Sequence, residues 1–136
     1  MSYATQSSVV ARAYSAYSQV QNEAADPRHM LVVLFDGLLR VLQEGRRHLA
    51  AGQFETWADC SNRVRRALSE LILALDDEHS PELCGSLRGL YVYIQRLITE
   101  AGLEEDMDKL QEAIDLMAQL GSAWRETKSI CQMPSA

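Results

Sequence analysis

The sequence is short of the residues that staple a fold or anchor it in a membrane. Cysteine occurs three times, at Cys60, Cys84 and Cys131, with no Cys-x-x-Cys pair and no Cys/His spacing. A scattered, odd set offers neither a disulfide framework nor a zinc site, and such cysteines pack as small buried hydrophobes. The longest unbroken apolar run, Met30 to Phe35, falls far short of the roughly 20 residues of a membrane span. Residues 1–12 lack the apolar core of a secretory signal. These absences predict a cytosolic chain with no membrane insertion. Catalytic signatures are missing too: there is no GxSxG, no glycine-rich phosphate loop, and no Glu three residues before His29, His48 or His79. Nucleophilic, nucleotide-dependent and di-metal bundle chemistry therefore lack their sequence patterns, and neither a cofactor nor an enzyme activity is expected.

What is present is a globular composition, 47% apolar in 136 residues with a net charge of −6, which suits one domain with a core of its own. The charge is uneven. Residues 1–66 carry eight Arg against six acids, and residues 67–136 five basic residues against thirteen acids. Acidity on this scale makes nucleic acid a poor partner. The cluster Arg46, Arg47, Arg63, Arg65 and Arg66 has two readings: a solvated basic face, or a dock for an acidic partner or RNA.

Four punctuation marks organise the chain. Asp26-Pro27 opens a helix, Gly52 closes one, Ser80-Pro81 opens another, and Gly102 followed by Asp106 marks a stop and a start. They predict helices over 27–51, 53–77, 81–101 and 106–132, with short connections that favour antiparallel neighbours. Each segment carries a 4-3-4-3-4 apolar rhythm: Leu31, Phe35, Leu38, Leu42, Gly45 and Leu49; Trp57, Ser61, Val64, Leu68, Leu71 and Leu75; Leu83, Leu87, Leu90, Ile94, Leu97 and Ala101; and Leu110, Ala113, Met117, Leu120, Trp124 and Thr127. That pattern predicts an all-α, antiparallel up-and-down four-helix bundle over 25–133. Residues 1–24, rich in Ser, Ala and Gln, predict a loosely held N-terminal segment, helical when docked.

The first helix is over-provided. Leu31, Leu34, Phe35, Leu38, Val41, Leu42 and Leu49 share one face, and Met30, Val32 and Leu39 widen it to roughly 200° of arc. A helix facing one core needs about half of that. The excess predicts a second cover, either more of this chain or another protein. Gly37 and Gly89, both inside helices, read either as packing detail or as places where something, such as a peptide in a groove, approaches closely.

The stretches ADPRHMLVVLFDG (25–37), RALSELILALD (66–76), LRGLYVYIQRL (87–97) and the pair Ala123-Trp124 occur in the order of the motifs of the flagellar secretion chaperone family FliS, which the chain resembles over nearly its whole length. Asp26 stands where the family has Ser or Thr, Ser-Pro-Glu replaces a Gly-Gly-Glu run, and Val92 stands where an Asp lies between the two tyrosines. The resemblance implies an antiparallel bundle that binds the disordered C-terminal region of flagellin by helix-in-groove contacts. Such binding prevents premature polymerisation and keeps the client fit for export. It also implies an N-terminal segment able to occupy part of the groove, and leaves room for a co-chaperone or an export-gate protein as a further partner. On this basis the partner-binding residues are Tyr17 and Val20 in the N-terminal segment, Val32 and Leu39 on the first helix, Ile72 just off the second seam, and Tyr91 and Tyr93 on the third helix. The chain is expected as a monomer or weak homodimer. The alternative is a structural bundle whose excess apolar surface mates with a second copy and which has no flagellin partner.

Overall fold

A computed structural model describes residues 27–78 and 80–126 and holds four α-helices: α1 (Pro27–Ala50), α2 (Phe54–Leu73), α3 (Pro81–Glu104) and α4 (Met107–Glu126). Helix α1 packs on α2 and α4, and α3 packs on the same two, the closed ring of an up-and-down bundle.

The helix ends show why the chain turns where it does. After α1, Gly52 sits at φ +74. Gln53 N–H donates to His48 O at 2.9 Å and Gly52 N–H to Leu49 O at 3.1 Å, the double bond that closes a helix on a left-handed residue. Pro81 begins α3 as expected, but the Ser80 side chain makes no capping bond. Helix α2 stops at Leu73, short of the expected 77. There Asp76 Oδ1 accepts Glu78 N–H at 3.1 Å, a local turn that competes with helix continuation. The stop expected at Gly102 falls later: α3 runs to Glu104, and Glu105 takes the left-handed conformation at φ 52. Asp106 then caps α4, its Oδ1 accepting Asp108 N–H at 3.0 Å and Lys109 N–H at 3.2 Å.

Gly102 has a different task. A Cβ there would lie 2.6 Å from Trp57 Nε1. On the other side of the same indole, a Cβ at Gly45 would lie 2.9 Å from Cys60 Cβ and 3.1 Å from Trp57 Cε3. Two glycines, on α1 and α3, thus let the Trp57 indole of α2 fill the space between those helices. Gly37 and Gly89, expected to admit a close neighbour, have nothing within 4 Å of a Cβ.

The seams of α1, α2 and α4 follow the expected rhythm: all the named positions within these helices are buried, from Leu31 to Leu49, Trp57 to Leu71 and Leu110 to Trp124. Thr127 lies outside the described residues. Helix α3 is rotated from expectation. Its seam is Cys84, Leu87, Tyr91, Ile94, Ile98 and Ala101, with Leu97 also buried. Leu90 is half-buried and Leu83 exposed. Both registers share Leu87, Ile94 and Ala101 and are apolar on either flank, so periodicity alone cannot choose between them. Packing chooses. The Tyr91 ring stacks on Phe35 of α1 at 6.2 Å between centroids, and Phe35 meets Trp124 of α4 at 6.1 Å, a cluster with the offset contacts aromatic rings prefer.

Candidate functional site

Helix α1 has more apolar residues than its seam uses, and they fall on two flanks. Val32 and Leu39, one heptad apart, bracket Asp36, whose carboxylate accepts two bonds from Arg125 of α4 at 3.2 and 3.0 Å. This flank therefore borders α4. Met30, Leu34, Gly37 and Val41 form a second 4-3-4 row on the side of Gly45, which faces Cys60 and Trp57 of α2. Val32, Leu39, Met30, Leu34 and Val41 are all half-buried against the core, and Val33 beyond them is 48% exposed. Half-buried aliphatic rows on both sides of one helix, with an open glycine in one of them, make a shelf on which a partner helix can lay its apolar face. The side chains of these rows are aliphatic, so what they offer is apolar contact area.

The expected partner-binding residues do not converge on one patch. Tyr17 and Val20 lie outside the described residues. Val32 and Leu39 share the α1/α4 flank. Ile72 is half-buried on α2 and falls one heptad after Arg65, on the side facing α3. Tyr93 is 37% exposed and donates its hydroxyl hydrogen bond to the Glu112 carboxylate of α4, so it borders α3/α4. That bond, helped by partial desolvation and the Glu112 charge, raises the phenol pKa above its ordinary value. Tyr91 requires correction. It is fully buried, among the largest such side chains in the protein, because the α3 seam turns toward it and its ring stacks on Phe35. In the unbound chain it is part of the core beneath α1.

Polar pairs elsewhere lie at helix ends and edges. His48 Nδ1 meets Gln53 Oε1 at 2.7 Å, and Nε2 lies 3.8 Å from Glu44, a pair at the solvent edge. Lys109 donates to Glu100 at 3.0 Å and Glu104 at 2.9 Å; these bonds hold its pKa well above the usual lysine range and tie the end of α3 to α4. Burial, with Glu44 nearby, pushes the Cys60 thiol up, which keeps it protonated and unreactive. Among the described residues, no group of three His, Cys, Asp or Glu side chains is placed to hold a metal ion, and no helix is long and apolar enough to cross a membrane.

The bundle and its doubled apolar helix define a binding scaffold. Comparison with known proteins identifies which kind. Residues 10–130 match the family model described as flagellar protein FliS. The chain is 32% identical over 114 residues to the flagellar secretion chaperone FliS of Campylobacter jejuni, covering 84% of this chain and 89% of that one. It is 28% identical over 116 residues to the chaperone of the same name from Salmonella typhimurium, covering 82% and 86%. With the flagellar secretion chaperone FliS of Escherichia coli it shares 28% identity over 122 residues, covering 86% and 90%. The chain belongs to the FliS family of flagellar secretion chaperones.

Proposed function

We propose that this chain is a cytosolic export chaperone for flagellin, holding the client's disordered C-terminal region in helix-in-groove contacts along α1 and so delaying polymerisation until export. The observation that carries this reading is the doubled apolar row of α1 in a chain of the FliS family: Val32 and Leu39 on one flank, Met30, Leu34 and Val41 on the other. A single-core helix has no use for both. Binding is driven by apolar burial and opposed by ordering of the client. Residues 1–24, with Tyr17 and Val20, serve in this scheme as a cover that the client displaces. Tyr93, at the α3/α4 border, is a rim contact.

Calorimetric titration of a flagellin C-terminal segment tests the proposal. One-to-one binding with a negative heat-capacity change, weakened by polar substitution on the α1 flanks, is expected. Absence of binding, with the chain instead dimeric in dilute solution, would favour a self-mating bundle.

A further inference from the structure

Between α2 and α3 runs a groove of about 570 Å³ that the client-holding scheme does not use. Arg65 and Arg66 line it from α2, Val92 and Arg96 from α3, and no Asp or Glu is among its lining residues. Arg65 is held in place by neutral acceptors, its Nε donating to Ser61 Oγ at 3.1 Å and an Nη2 to Asn62 Oδ1. It meets no carboxylate among the described residues. Below it, the Gln95 amide donates to Arg65 O and to Ser69 Oγ, both at 2.8 Å, which locks the two walls together. The Arg96 guanidinium lies 3.6 Å from Glu100 and is 69% exposed. Val92, 50% exposed, adds an apolar contact. A slot with forked cations and an aliphatic wall, in a chain of net charge −6, is complementary to carboxylates carried on a partly apolar segment.

Outside the described residues acids are few: 127–136 contain Lys128 and no acid, and 1–26 contain Glu23 and Asp26 against Arg12. We propose that the α2/α3 groove is a second docking site, which takes an acidic, partly apolar segment of a partner protein distinct from the flagellin C-terminus. Ile72 and Arg65 share the face that borders it, while both client rows, Val32 with Leu39 and Met30 with Leu34 and Val41, lie on α1, which packs on α2 and α4 and stands across the ring from α3. The two sites are therefore separate enough to be filled together.

The test is fluorescence anisotropy of the full chain with a labelled peptide of repeating Glu-Val-Glu. The same peptide with Gln for Glu, a single-stranded oligonucleotide and inorganic phosphate are the comparison probes. Saturable binding of the acidic peptide is expected, weakening as salt rises. Val92→Asp, which places a carboxylate in the slot at an exposed position, and Arg65→Glu should each weaken it by about tenfold or more with helical content unchanged. Leu39→Lys should leave it intact, and unlabelled flagellin C-terminal segment should not compete. Five results would overturn the inference: no binding; equal binding of the Gln peptide; tighter binding of the oligonucleotide; displacement by the flagellin segment; or a self-association of the chain that Arg65→Glu abolishes, which would make a second copy the occupant.

Discussion

Trp57 and the two glycines beside it set how closely α1 and α3 approach α2. A methyl group at Gly102 would meet an indole that Gly45 already confines from the other side. Gly102→Ala should therefore cost about 1–3 kcal/mol by overpacking. Gly89→Ala should do the opposite: its Cβ would meet open space, and alanine gains about 1 kcal/mol over glycine inside a helix. Urea denaturation midpoints read the sign directly, and two substitutions of the same sign would contradict the placement of Trp57. Tyr93 gives the residue-scale pH dependence. Its folded pKa is raised, chiefly by the bond to Glu112. The stabilisation is therefore fully present below the unfolded phenol's pKa near 10 and is lost as pH rises through the folded value. The stability gap between wild type and Tyr93→Phe should hold at about pH 8 and shrink by about pH 11. A gap that widens with pH would contradict the bond.

At the scale of the elements, termini and seams differ in how plainly the sequence announces them. Proline at 27 and 81 and glycine at 52 act through backbone constraints that no neighbour can change, so those ends stand where the residues place them. Gly102 carries the same letter as Gly52, but its role is a close approach that depends on Trp57, a residue distant in sequence. The left-handed position passes instead to Glu105, where a side chain is strained. Glu105→Gly should accordingly stabilise the protein by about 0.5–1 kcal/mol. Asp106→Ala, which removes the cap on α4, should cost about 1 kcal/mol. Thermal melts showing both variants unchanged would mean that the α3–α4 corner contributes nothing to stability. The rotation of α3 has a similar origin. Cys84, Tyr91 and Ile98 take the seam from Leu83 and Leu90, with Leu97 buried beside them, and the stacking of Tyr91 on Phe35, a tertiary contact, favours that register. The bundle and most of its core are thus legible from period and punctuation, whereas the surface residues are less so. Tyr91 lies beneath the surface, and Ile72 and Tyr93 stand on faces apart from Val32 and Leu39, because a heptad pattern marks which residues are apolar without marking which neighbour covers them.

For the whole molecule, the proposed function requires the apolar rows of α1 to hold another chain. Leu39 is the position of choice: it is half-buried against the core, and a lysine there keeps an aliphatic stem on the core while placing a charge at the edge. The decisive measurement is isothermal titration calorimetry of a flagellin C-terminal segment into the wild-type chain and the Leu39→Lys variant, with helical content checked for both. One-to-one binding by the wild type is expected, with a loss of about tenfold or more in a folded Leu39→Lys variant, within the range of interface anchors at about 1–4 kcal/mol. Equal affinity in a folded variant would contradict it, and would mean that the wide apolar arc of α1 faces something other than the client.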